Sequence, residues 1–378
     1  MKTLLSYCER ELPWTIDLVE ALVRLESPSG DAAAINACVA ELDARLRDIG
    51  GATTRVPGGP AGEHLRADFG SGARRVLLLG HIDTVWPAGT LADRPFRHES
   101  GALRGPGVFD MKAGLALAAL ALKALHETGG GLPGRVALLV TADEETGSAT
   151  SRALIEAEAR ASEAVLVLEP ALPGGALKTS RKGCGGFVLR VAGRAAHAGI
   201  EPERGASAVS ELVRQLTRVE ALRDEAAGTS INVGVVRGGT RPNVVAAEAE
   251  ASIDVRAATT AEATRVAAAL AGLTPVDPRT RLTVEGGFDR PPMERSAATA
   301  RLFALAREAA AGLGRDLGEG GTGGGSDGNL AAALGVPTLD GLGAVGGGAH
   351  AADEHVTIAD LPWRAALIAG LLRRILTV

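Results

Sequence analysis

Three short runs, Val76-Leu77-Leu78-Leu79, Val136-Ala137-Leu138-Leu139-Val140 and Val165-Leu166-Val167-Leu168, are apolar at every position. A strand with one wet face alternates apolar and polar residues, so unbroken runs predict strands covered on both sides. Segments 12–25, 33–49, 111–126 and 148–159 carry apolar residues at three-to-four spacing and predict helices. Strands alternating with helices specify an α/β fold around a mostly parallel sheet covered by helices.

From about 181 to 289 the pattern changes. It predicts a strand at 186–192, a helix at 204–223, strands at 229–236 and 246–256, a helix at 260–272 and a strand at 281–285. Ala247–Val255 alternates strictly, as a strand with one wet face does. The order βαββαβ is that of a ferredoxin-like unit. At 378 residues two domains are expected. The reading is therefore a large domain in two parts, 1–180 and 290–378, with a smaller domain, 181–289, inserted. Helices near 296–312 and 360–376 return the chain to the large domain.

Composition removes several function classes. Net charge is −5, and no basic stripe with interleaved aromatics is present, which argues against nucleic acid as a partner. Cys8, Cys38 and Cys184 are odd in number and widely spaced, so buried thiols are expected, not a disulfide framework. Glu9, Arg10 and Glu11 interrupt the first apolar run before it reaches the length of a signal-peptide core, and bulky Tyr7 argues against lipid attachment at Cys8. No apolar stretch reaches the roughly 18 residues of a membrane span, so no membrane partner and a cytoplasmic location are expected. The Gly-rich stretch Gly318–Gly328 lacks the G-x-x-x-x-G-K-[ST] pattern, and no strand clearly leads into it. It is read as a tight active-site loop in preference to a linker, and a dinucleotide-dependent enzyme is set aside.

The chemistry-bearing residues share one topological place. His81 and Asp83 follow the strand ending at Leu79, Glu144 and Glu145 follow the one ending near Ala142, and Glu169 closes the one ending at Leu168. Asp110 precedes the helix expected from Met111. Sites in open α/β sheets form outside the carboxyl ends of the strands. One histidine and five carboxylates gathered there would repel one another without cations, and a pair of divalent metals relieves this. Imidazole and carboxylate ligands suit zinc, with cobalt or manganese as substitutes. Two residues apart on an extended segment, His81 and Asp83 point the same way, so Asp83 can orient the imidazole. Of the adjacent Glu144 and Glu145, one can bind metal while the other takes a proton. Taken singly, each feature has a plainer reading: Asp110 as a helix N-cap, and the Glu pair as a solvated helix start.

Together the segments Gly80-His81-Ile82-Asp83-Thr84-Val85, Gly105–Gly114 and Asp143-Glu144-Glu145-Thr146-Gly147-Ser148 resemble the three signature motifs of the di-zinc aminoacylase/carboxypeptidase family of metallopeptidases. Within it they are similar to glutamate carboxypeptidases of the carboxypeptidase G type. The resemblance spans nearly the whole chain. It implies two zinc ions per subunit bridged by Asp110, one completed by His81 and Glu169, the other by Glu145 and by His350 in Gly348–Glu354, a loop position for which His355 competes. It implies Glu144 as general base and Asp83 as the partner of His81. His197, in Gly193–Gly199, resembles a lid histidine that serves the oxyanion, sometimes across a dimer interface. Arg290, Asn243, Gly324 and Gly325 resemble the groups that hold a substrate α-carboxylate. His64, His98 and His126 match no motif and are read as surface or packing residues. Trp86 either lines the pocket or belongs to core or rim, and the added charge of Arg181 and Lys182 either serves an acidic side chain or is solvated.

The expected activity is hydrolysis of an amide that releases a C-terminal amino acid, glutamate foremost, from a small N-acyl or peptide substrate. The competing enzyme reading is an N-acyl-amino-acid deacylase, and the competing non-enzyme reading a catalytically silent metal-binding receptor. The family often pairs lid strands across a two-fold axis, so a homodimer through the lid is expected.

Overall fold

The computed structural model describes residues 1–128 and 131–377, and its chain divides into two compact units. The first comprises Met1–Ser180, Arg295–Gly321 and Ser326–Val378; the second comprises Arg181–Glu294 and Thr322–Gly325.

The sheet that carries the first unit has six strands, in the order Ala52–Pro57, Glu63–Gly70, Arg135–Thr141, Arg75–His81, Ala164–Val167, Thr338–Leu339. The last four run parallel, and the first two pair antiparallel at one edge. Every residue of Arg75–His81 and Ala164–Val167 is buried, as the unbroken apolar runs require. Covering this sheet is the helix Ala113–Glu127, whose alternating Ala and Leu are buried on nearly all sides. It packs against the C-terminal helix Leu361–Thr377, and both belong to one apolar core. A buried leucine in such a place contributes about 1.5–3 kcal/mol by burial.

The helix expected at 111–126 begins only at Ala113, because Val108–Lys112 forms a kinked turn in which Asp110 is extended (φ −115°, ψ 93°). The helix expected at 148–159 starts at Arg152, since Gly147 and Ser148 adopt positive φ and turn the chain first. Lys2–Arg10 is helical, which the charge-interrupted N-terminal run did not indicate.

In the second unit a four-stranded antiparallel sheet has the order Ser230–Gly238, Glu248–Ala257, Gly183–Ala192, Arg281–Arg290. With the helices Ala208–Glu220 and Thr260–Ala271 this is the βαββαβ, ferredoxin-like order. The last strand runs to Arg290, five residues beyond the expected end of 285, and carries this unit past 289. Glu248–Ala257 alternates buried and partly exposed residues along its length.

The Gly-rich stretch is ordered as a strand, Glu319–Thr322, a turn, and the helix Asp327–Ala333. Ser326 starts that helix with a capping box: its hydroxyl accepts from Gly328 N, and Asn329 Oδ1 accepts from Ser326 N. No helix among the described residues is long and apolar enough to cross a membrane.

Candidate metal centre

Parallel strands deliver their carboxyl ends to one rim, and in the first unit this brings five expected residues together, which Asp110 and His350 join from loops. His81 ends the strand Arg75–His81, Glu144 and Glu145 follow Arg135–Thr141, and Glu169 follows Ala164–Val167. His81 Nε2 lies 3.2 Å from Asp110 Oδ1 and 3.4 Å from Glu169 Oε1. On the other side of Asp110, His350 Nε2 lies 3.3 Å from Asp110 Oδ2 and 3.2 Å from Glu145 Oε1. Two triads of potential ligands thus share one carboxylate, and within each the donor atoms lie within 4.8 Å of one another. Glu144 belongs to neither. His350 occupies a loop with φ 60°, which turns its ring toward Asp110 and Glu145.

Asp83 is fully buried, and its two oxygen-bearing groups reach different partners. The group nearest His81 Nδ1 is Asp83's own carbonyl oxygen, at 2.9 Å, while its carboxylate lies 3.5 Å away. That carboxylate accepts the backbone N–H groups of Glu144 (3.1 Å) and Glu145 (3.2 Å) and the Ser29 hydroxyl (2.7 Å). One side chain therefore fixes the turn that carries both glutamates.

Electrostatics record a surplus of negative charge. Burial by itself would depress His81, but the carboxylates of Asp110, Asp83 and Glu169 outweigh it and hold the imidazole well above its ordinary value. Asp110 and Glu145 raise His350 to about 10. Against the burial that would raise Asp110, the two imidazoles keep it below the usual carboxylate range. Divalent cations satisfy the same carboxylates without those protons. The donor set, an imidazole nitrogen and two carboxylate oxygens per triad with His81 Nδ1 tied to a carbonyl, fits two such ions.

Several groups around the centre were not expected. Glu354, four residues beyond His350, is buried and takes four hydrogen bonds. Gly107 N (2.9 Å) and Trp86 Nε1 (2.8 Å) donate to Oε2, and Phe109 N (2.9 Å) and Asp110 N (3.1 Å) donate to Oε1. Burial raises its carboxyl, and those donors pull the other way. These bonds explain why Asp110 is extended and serves as no helix cap. The Arg94 guanidinium lies 4.6 Å from the centroid of the Trp86 ring. Lys112 is fully buried and donates to the Leu22 and Leu25 carbonyls, both at 2.9 Å, capping the helix Leu12–Arg24.

His64 is no surface residue. It is buried behind the Glu144–Glu145 turn, where Nδ1 accepts from Ala142 N at 3.1 Å and Nε2 faces Thr150 Oγ1 at 3.2 Å. Burial holds its pKa down. His98 and His126 are exposed, as expected. Asp327, buried at the start of its helix, receives the hydroxyls of Ser148 and Thr141. None of these side chains carries a sequence signal for its partnership, because each bond joins segments far apart in the chain.

The remaining expected residues lie in the second unit. His197 is exposed, with Nδ1 accepting from Gly199 N at 3.1 Å. Its segment bonds to that of Asn243, also exposed, through Ala198 N and Asn243 O at 3.0 Å. Arg290 is buried and pairs in register with Cys184, and Gly325 lies close against both side chains. Arg181 is buried, not solvated, and donates to the carbonyls of Gly324 (3.2 Å) and Gly325 (3.1 Å).

Residues 77–374 match the family model described as peptidase family M20/M25/M40. The chain is 33% identical to carboxypeptidase G2 of Pseudomonas sp. (strain RS-16), over 96% of this chain and 89% of that protein. It is 32% identical to a succinyl-diaminopimelate desuccinylase of Methylobacterium sp. (strain 4-46), over 85% and 84% of the two chains. Among solved structures, an aminopeptidase PepT of Bacillus cereus ATCC 10987 shares the fold, with a TM-score of 0.83 over 96% of this chain and 98% of that one, at 23% identity.

Proposed function

The chain belongs to peptidase family M20/M25/M40, a family of hydrolases, and on that premise we propose that it cleaves an amide bond to release a C-terminal amino acid, glutamate above others, from N-acyl or peptidyl substrates. The observation that carries this reading is the pair of triads sharing Asp110, with Glu144 beside them as a carboxylate assigned to neither.

His81, Asp110 and Glu169 would hold one cation, and Asp110, Glu145 and His350 the other; zinc suits the donors, and cobalt or manganese would substitute. When bound, such a pair supplies Lewis acidity toward the amide carbonyl and makes water a stronger acid. Glu144 then takes a proton from the attacking water onto its carboxylate and delivers it to the leaving nitrogen. Asp83, through the N–H groups of Glu144 and Glu145, fixes the backbone from which that carboxylate projects. His197 is assigned the role of donor to the developing oxyanion. Arg290, whose planar guanidinium suits bidentate carboxylate binding, is assigned the substrate's α-carboxylate, aided by Asn243, Gly324 and Gly325. Glutamate as the released residue rests on the resemblance of Gly287–Pro292 to the carboxypeptidase branch.

Homodimerisation through the second unit is part of the reading. It is supported by the edge strand Ser230–Gly238, which exposes Val235 (44%) and Val236 (57%). Three unpaired cysteines support a cytoplasmic setting.

A deacylase is the second reading, favoured by the similarity to a desuccinylase. The deciding experiment uses zinc-loaded protein and a matched panel: acetyl, benzoyl and p-aminobenzoyl groups, each joined to Glu, Asp, Ala, Leu and Phe. Rates that peak at Glu whatever the acyl group support the carboxypeptidase. Rates that follow the acyl group and ignore the amino acid support the deacylase and overturn the proposal.

A further inference from the structure

Two of the expected cation ligands, Asp110 and His350, come from loops more than two hundred residues apart in sequence. One side chain ties those loops together. Glu354 stands four residues after His350, in a loop closed by Ala351 N donating to Gly348 O (2.8 Å) and Glu354 N donating to Ala351 O (3.1 Å). Gly348 has φ +74°, and a Cβ there would meet the Glu354 nitrogen, so the tight turn fixes Glu354 relative to His350. From this anchored position the carboxylate reaches the other loop and takes the N–H groups of Gly107, Phe109 and Asp110. The Trp86 indole N–H completes its set of donors. Three backbone donors converging on two oxygens leave the Asp110 turn little freedom.

We propose that Glu354 is a positioning residue that holds Asp110 against His350 and so sets the affinity of the cation position formed by Asp110, Glu145 and His350. The other position depends on Asp110 too, but His81 ends one paired strand and Glu169 follows another, and neither strand supplies a donor to Glu354. Loss of the clamp therefore falls unequally on the two positions. The proposal rests on the two-metal reading of the site.

The test titrates metal-free, full-length protein with zinc alone, measuring the two binding affinities by calorimetry for wild type and Glu354→Gln. A Gln side chain turns an NH2 group toward backbone N–H donors that a carboxylate had satisfied on both oxygens. His350→Ala, which removes a ligand from one position only, identifies that position in the titration. The expected result is a ten- to hundred-fold loss at the position His350→Ala also weakens, and less than about three-fold at the other. Equal losses at both, or none at either, overturn the positioning role. A wild type that binds fewer than two zinc ions overturns the two-metal reading itself, and this proposal with it. Should Glu354→Gln fail to fold by circular dichroism, Glu354→Asp replaces it. That variant keeps the charge, draws the carboxylate back by one methylene, and is expected to weaken the same position about ten-fold.

Discussion

The backbone N–H of Glu144 donates to Asp83 Oδ1 at 3.1 Å, which ties the glutamate that belongs to neither ligand triad to the strand that carries His81. The proposed proton carrier and a proposed metal ligand are thus held by one buried carboxylate, and their separation is set by the chain itself.

Glu144→Gln tests the proton step most directly. The amide keeps size and polarity but cannot accept a proton, so kcat is expected to fall by about 10²–10⁴. Bound zinc, measured by elemental analysis, is expected to remain at the wild-type level. Loss of metal together with activity would make Glu144 a ligand and sink the assignment.

Asp83→Asn should affect both functions. The amide oxygen replaces one acceptor, but its NH2 confronts a backbone N–H of the Glu144–Glu145 turn. A ten- to hundred-fold loss in metal affinity is expected, with kcat lowered even at saturating zinc. Restoration of full kcat by added zinc would limit Asp83 to metal binding.

Gly114 lies where the helix Ala113–Glu127 crosses the Leu168 carbonyl, one residue before Glu169. A Cβ at 114 would collide with that carbonyl, a backbone atom that cannot swing aside. Gly114→Ala is expected to cost about 1–3 kcal/mol of stability by overpacking, and to weaken metal binding by displacing Glu169. Urea denaturation of the metal-free protein, compared with zinc titration, separates the two effects. An unchanged midpoint would show that the helix can move away freely.

Asp43 provides a pH test remote from the metal centre. It is buried on the helix Ala32–Asp48 and accepts from Arg47 Nε and Arg55 Nε, both at 2.9 Å. Burial opposes its ionisation, but Thr53 and these guanidinium groups outweigh that and keep its folded pKa below the ordinary value. A depressed carboxyl pKa stabilises the fold above the unfolded value of about 3.9, and this contribution is lost as pH falls through the lower folded value. Asp43→Asn should therefore destabilise by about 1–2 kcal/mol at pH 7, and by progressively less below about pH 4. Equal destabilisation at pH 7 and pH 3 would rule out a charge effect.

Arg364 is buried within the C-terminal helix and donates to Gly343 O and Gly175 O, each at 2.8 Å, and also to Gly341 O. Arg364→Met retains much of the bulk but strips donors from these carbonyls. A loss of about 3 kcal/mol is expected in thermal unfolding, since buried acceptors left unpaired carry their full desolvation cost. A shift of less than about 1 kcal/mol would show that water or a local shift satisfies the carbonyls.

The layered sheet, the ferredoxin-like order of 181–289 and the strand-end placement of His81, Asp83, Glu144, Glu145 and Glu169 are legible in the amino-acid sequence. Those features follow from hydrophobic period, which each segment carries locally. His350 was legible only through resemblance, because a loop histidine has no periodicity to place it. Only in the folded chain do Glu354, His64, Lys112 and Asp327 meet their partners, and does Asp110 take the extended backbone that displaces the expected helix start. In each case a buried polar group is satisfied by a partner brought from another part of the chain. No local pattern encodes such a pairing; it exists only once packing removes water and each buried donor must find an acceptor.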